Sequence, residues 1–321
     1  MKASKFLTII GTTVPLCLAA PAMAKDLVIG YASNAMSFTY NAAIAAGFQE
    51  AAKAAGVKVI LLDNKGNIEK QGNDVDDLIA QKVDGIALMP GDAAAAQTWV
   101  DRASKAGIPT VSMGAQVDDP KKRDGKPVYE KLTALVVPHE VNAGAAAGEF
   151  AATILPKDKT AKIAVIEGAA GFIEVINRRD GLEQGLKKAG AKYNVVAAQP
   201  GDWRQEKAEA ACQNILVAHP DIDLFFTQSD EMVMGCARSV KAVGSKAKLV
   251  SMGGTKLAID AIKAGTIDAS VCYKPQDTGR LGFKALHAAM QNKGAPPKAE
   301  FINYATPAVM KNNLSACEPQ W

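Results

Sequence analysis

The sequence predicts an α/β protein built of two similar lobes, each a doubly wound parallel sheet, from three observations. Strand-length apolar runs alternate with stretches of helical period from residue 26 onward, the pattern that lays parallel strands between helices on both faces. Val111-Ser112-Met113-Gly114 recurs as Val250-Ser251-Met252-Gly253, and Asp92 stands before the first copy much as Asp230 stands before the second, so the sheet is expected twice. Leu224-Phe225-Phe226 runs straight into a helical pattern opening at Asp230, a residue able to cap it. That places Gln228, Ser229 and Asp230 at the carboxyl end of a strand, where open α/β sheets meet small molecules. A chain of 321 residues, 48% hydrophobic but only 6% aromatic, suits an Ala- and Val-rich protein with room for two cores.

The chain opens on an export signal over residues 1–24. Lys2 and Lys5 precede an apolar run over 6–20 that Gly11 and Pro15 soften, and Ala22-Met23-Ala24 forms a small-x-small cleavage site, so Lys25 is the expected mature start. The run is short for a membrane span, and Leu16 before Cys17 argues against lipoprotein processing. The net charge of +4 loses Lys2 and Lys5 with the signal; the mature chain is then nearly neutral, without the basic patch that nucleic acid requires. Export also permits disulfides among Cys212, Cys236, Cys272 and Cys317, for which three pairings exist and the sequence selects none. Cysteine spacing fits no metal motif and His139, His219 and His287 are scattered, so no metal site is expected.

In order, a strand is expected at 26–31, a helix at 40–55 ended by Gly56, a strand at 57–62, a helix at 68–81 and a strand at 85–89. A helix at 93–106 and a strand at 109–113 lead to a charged excursion over 117–131, whose Pro120, Gly125 and Pro127 mark a solvated loop. After a strand at 133–137 and Pro138 the pattern restarts: helix 140–154, strand 163–166, a glycine-rich turn, helix 176–189 and strand 194–198. An enzyme would need a nucleophile with its base, a phosphate loop or a metal cluster. No G-x-S-x-G, P-loop or H-E-x-x-H is present, and Gly168-Ala169-Ala170-Gly171 lacks the spacing of a dinucleotide turn. No catalytic residue and no cofactor are therefore assigned.

Ala218-His219-Pro220-Asp221, followed by Phe226-Thr227-Gln228-Ser229-Asp230-Glu231-Met232 and Gly235, resembles the HPD and QNDEM signatures of the periplasmic sugar-binding proteins of ABC importers, in the ribose- and galactose-binding branch. Gln199-Pro200-Gly201-Asp202-Trp203, Arg178 with Gly181, and Gly253-Gly254-Thr255 extend the likeness over most of the chain from residue 25. The resemblance implies the type I periplasmic binding protein fold, shared with the lactose-repressor core, with three hinge segments near Pro138, Tyr273 and Tyr304. One lobe is then 25–137 with 276–302 and the other 138–275 with 303–321. It further implies a monomer in the periplasm that hands a sugar or polyol to a membrane permease with its ATPase.

The resemblance also implies a ligand set. Asn34, Phe38, Tyr40 and Asn41 occupy the loop and first helical turn where the family stacks aromatics on a sugar, Trp203 sits at its second aromatic position, and Tyr273 lies at a hinge-strand contact. Ser229 replaces the usual Asn, and Arg178 matches an arginine that braces its helix or touches ligand. Three charged family positions are missing, their places taken by Gly114-Ala115, Gly253 and Ile176, with Gln116, Glu174 and Asn177 as nearby polar candidates to compensate. The two glycines are expected to open volume for a solute read by few charges: a neutral sugar, deoxysugar or polyol. A purine-like heterocycle, or a ligand-sensing role for a membrane receptor, is the alternative.

Overall fold

The computed structural model describes residues 26–118, 128–292, 294 and 297–321; the export signal and most of the 117–131 excursion lie outside the described residues. The first lobe is built from β1 (Val28–Ser33), α1 (Thr39–Ala54), β2 (Lys58–Asp63), α2 (Ile68–Ala80), β3 (Gly85–Met89), α3 (Ala93–Lys105), β4 (Thr110–Met113) and β5 (Ala134–Val136). The second takes α4 (Glu140–Ile154), β6 (Ala161–Glu167), α5 (Ile173–Lys188), β7 (Tyr193–Pro200), α6 (Gln205–Ala218), β8 (Leu224–Thr227), α7 (Asp230–Ala242), β9 (Lys248–Gly253), α8 (Lys256–Ala264) and β10 (Ala269–Cys272). The chain then crosses back: α9 (Pro275–Gln291) packs on α1 and the first sheet, β11 (Glu300–Ile302) joins that sheet, and β12 (Ala308–Met310) joins the second.

The two sheets have corresponding strand orders, β11-β5-β4-β3-β1-β2 and β12-β10-β9-β8-β6-β7. Both repeated motifs fall on equivalent strands, Val111–Gly114 at β4 and Val250–Gly253 at β9, which is the two-lobe α/β architecture expected. The lobes differ at one edge, where β11 is parallel to β5 but β12 is antiparallel to β10. Central strands such as β3 and β8 are buried along their whole length because helices cover both faces, which is why they read as unbroken apolar runs.

Several boundaries shift by a few residues from expectation, β1 (Val28–Ser33 against 26–31) and β6 (Ala161–Glu167 against 163–166) among them, and two shifts have a clear cause. α5 begins at Ile173 rather than 176, with Phe172 at the cap position and no side-chain cap, so no Ser, Thr or Asp announces its start. β7 runs on to Pro200 because it is an edge strand, paired with β6 alone through a register shift at Ile163/Ala164, and its half-exposed residues carry little apolar signal. Cys212 pairs with Cys236 to join α6 to α7, and Cys272 with Cys317 to tie the end of β10 to the stretch beyond β12.

Candidate functional site

Between the carboxyl ends of the two sheets lies a cavity of about 440 Å³, within the roughly 300–1,000 Å³ usual for small-molecule sites. The β1–α1 connection contributes Asn34 and Phe38 to its wall, and the first turn of α1 contributes Tyr40 and Asn41. The two asparagines hold each other: the Asn41 amide donates to Asn34 Oδ1 and to the Ala35 carbonyl, and the Ala35 N–H donates to Asn34 Oδ1 at 2.7 Å. Their orientation is therefore set before any solute arrives.

Trp203 enters from the turn between β7 and α6. Asp202 and Trp203 are both left-handed, with φ of 51° and 61°, a conformation costly for side-chain-bearing residues and a mark of functional turns. It lays the indole on Gly168, where a Cβ would meet the ring at 1.9 Å, so glycine is the residue that fits there. Phe172 meets the indole edge-to-face at 6.1 Å. With Phe38, Tyr40, Tyr273 and Trp321, these rings put six aromatic side chains on the wall.

Arg178 is 7% exposed and lines the cavity, yet its charge is spent on the protein. Nε and Nη2 donate to the two oxygens of Glu140 at 2.7 and 3.0 Å, and Nη1 donates to the Gln228 carbonyl at 2.8 Å. The Tyr273 hydroxyl also donates to Glu140, and the guanidinium lies 5.4 Å from the Trp203 ring and 5.1 Å from that of Tyr273. Burial opposes the charge on Arg178, but the Glu140 carboxylate outweighs it and holds the guanidinium firmly protonated. Glu140 is absent from the expected set, and no local sequence signal marks it.

Glu174 is the other buried charge. Its Oε1 accepts the Gln116 N–H at 2.7 Å, from one lobe to the other, while Oε2 is buried without a hydrogen-bond partner. Burial, with the neighbouring Glu140 charge, pushes this carboxyl up from 4.5 to about 7, against the hydrogen bonds and Arg178 that favour ionisation. Thr39 Oγ1 donates to Glu231 Oε1 at 2.8 Å as a second contact between lobes, so the cavity is seen with the lobes closed.

Several expected roles are corrected. Asp230 neither caps α7 nor faces the cavity: Ser229 accepts the Met232 N–H as the cap and lines the wall, while Asp230 is fully buried and turned toward β9 and β10. Gln116 lies outside the lining, offering its main-chain N–H rather than its side chain. Asn177 also lies outside it, because Glu174 and Arg178, four residues apart, share the inward face of α5 and residues 176 and 177 turn off it. Ile176 is accordingly 41% exposed. The glycines do not open volume for a solute. A Cβ at Gly114 would strike Ile44 and Met89, and one at Gly253 the Asp230 carboxylate, so protein side chains already fill those spaces. Gln228, expected at the strand end where a small molecule is met, lines the wall, and Phe172 and Trp321 are wall residues outside the expected ligand set.

The sequence profile of a family described as a periplasmic binding protein domain matches residues 29–294. A ribose import binding protein of Bacillus subtilis (strain 168) is 30% identical over 84% of this chain and 83% of its own length. A D-allose-binding periplasmic protein of Escherichia coli (strain K12) is 31% identical over 75% and 77%. Among solved structures, an ABC transporter solute-binding protein from Mycobacterium smegmatis with bound glycerol superimposes with a TM-score of 0.80 at 26% identity, covering 91% of this chain and 96% of that one.

Proposed function

The chain belongs to the periplasmic binding protein family, whose members are ligand carriers rather than enzymes, and from that premise we propose that it captures a small sugar or polyol and delivers it to an ABC-type import permease. One observation carries the reading: the closed cavity presents six aromatic rings beside its polar groups, and the buried Arg178 on its wall is paired with Glu140. Aromatic faces cover the C–H faces of a sugar, and the Ser229 hydroxyl and the unpartnered Glu174 Oε2 can meet its hydroxyls.

Solute binds the closed form better than the open one and shifts the population toward it, so the permease and its ATPase meet a loaded, closed monomer. The export signal read over residues 1–24 supports a periplasmic site for this exchange, and the D-allose-binding relative is named as a periplasmic protein. A thermal-shift screen of residues 25–321 against ribose, allose, arabinose, myo-inositol, glycerol and adenine tests the reading. A bound probe at ~100-fold over its Kd adds about 2.7 kcal/mol of stability, and Trp203→Ala abolishes the shift. A response to adenine with none to the sugars and polyols overturns it.

A further inference from the structure

Trp321 lies beyond the 29–294 span matched by the family profile, yet its side chain forms part of the cavity wall. Its ring centroid is 5.2 Å from that of Tyr40, and its Nε1–H donates to the Gly253 carbonyl at 3.2 Å. The ring is thus held between the first helix of one lobe and a strand end of the other.

The segment leading to it is anchored at every step. Cys317 is bonded to Cys272, next to the wall residue Tyr273. The Gln320 carbonyl accepts from Gln276 Nε2 at 2.6 Å, and Gln320 Oε1 accepts the Asp277 N–H at 3.1 Å. Helix α9 opens with Pro275 and has no side-chain cap from its own N-cap residue, so Gln320 supplies an acceptor that its first turn lacks. The Trp321 carbonyl accepts the N–H of Lys256, the first residue of α8, at 3.1 Å. Residues 320 and 321 thereby serve exposed N–H groups at the starts of two helices, α9 on the first lobe and α8 on the second.

An indole pinned in this way is a rigid boundary rather than a loose surface group, with its one donor engaged and its faces left to apolar contact. We propose that Trp321 is a specificity-determining residue of the cavity, a fixed wall that restricts the occupant to a single small ring or short polyol. The inference rests on the sugar or polyol reading above. Apolar walls of this kind discriminate by the volume they deny, on the order of 10- to 200-fold per added methylene-sized group.

The test is titration calorimetry of wild type, Trp321→Ala, Trp321→Phe and Gln320→Ala with ribose, allose, myo-inositol, glycerol, methyl β-ribofuranoside and lactose, with a circular-dichroism melt of each variant. Wild type is expected to bind at least one of the four small probes and to reject lactose. Trp321→Ala is expected to weaken the best small probe on the order of 10-fold and to narrow or invert its preference over the methylated and larger probes, with Trp321→Phe intermediate. If Trp321→Ala does not fold, Trp321→Phe and Gln320→Ala, which frees the α9 end of the segment, must relax the size limit in the same direction. Unchanged affinities and rank order in the folded variants overturn the inference alone. A wild type that binds none of the six probes and gives no shift with arabinose in the screen above overturns the sugar or polyol reading, and this inference with it.

Discussion

Asp92 and Asp230 follow equivalent strands, β3 and β8, in sheets of corresponding order, and they do different work. Asp92 caps its helix, accepting the Ala95 N–H at 2.8 Å. Asp230 leaves the cap to Ser229 and becomes a buried hub. Its Oδ1 accepts from Ser251 at 2.5 Å and Ser270 at 2.7 Å, and its Oδ2 accepts from the Thr255 N–H and hydroxyl at 2.8 and 3.0 Å. In the first lobe the serine equivalent to Ser251 is Ser112, which donates to the Ala115 carbonyl instead, so Asp92 has no such donor to turn toward. A carboxylate can be buried only where several donors already converge and a glycine, here Gly253, leaves it room. Burial raises the Asp230 pKa while the Ser251, Ser270 and Thr255 hydrogen bonds pull it down.

The difference can be broken most sharply at the hub. Asp230→Ala leaves the Ser251 and Ser270 hydroxyls and the Thr255 N–H buried without their acceptor, and urea denaturation is expected to show a loss of about 4 kcal/mol. A loss no larger than that of a helix cap would mean that the hub is dispensable.

Glu174 sharpens the comparison, because it is a buried carboxylate of the second lobe with only one oxygen partnered. The groups around it are Glu140 on α4, Arg178 on its own helix, and Tyr40, Arg204, Glu206, Glu231 and Tyr273 on the same cavity wall. Its pKa is raised from 4.5 to about 7, so the folded protein holds this proton more tightly than the unfolded chain does. The stabilising contribution is complete below about pH 4.5 and is lost as pH rises through about 7, amounting to about 3 kcal/mol across that window. Glu174→Gln removes the titration while keeping an acceptor for the Gln116 N–H. The stability of the variant relative to wild type should therefore rise from pH 5 to pH 8, and parallel profiles would place the ionisation elsewhere.

The smallest effect is expected in the first lobe. Asp92→Ala removes one cap acceptor from α3 and should cost about 1 kcal/mol by the same urea measurement. A loss equal to that of Asp230→Ala would erase the distinction between cap and hub.

What was legible in the sequence depends on neighbours along the chain. The β/α alternation and the repeated Val-Ser-Met-Gly segment could be read because periodicity and turn chemistry act over a few residues, whereas the loop aromatics Phe38, Tyr40 and Trp203 were singled out through the family resemblance. Even here the cap of α7 was misplaced by one residue, since Ser229 and Asp230 are both able to cap, and only the donors on β9 and β10 decide which of them turns inward.

Tertiary structure decided everything that requires two distant segments to meet. Tyr273 reaches Glu140 across 133 positions, and that contact, with the Arg178 fork, ties a cavity-lining cation to a carboxylate of its own lobe. The cysteine pairing, the half-partnered Glu174 and the placement of Trp321 against Tyr40 belong to the same class. Such contacts depend on segments that only the fold brings together, and a partner far along the chain leaves no periodic trace beside the residue it completes.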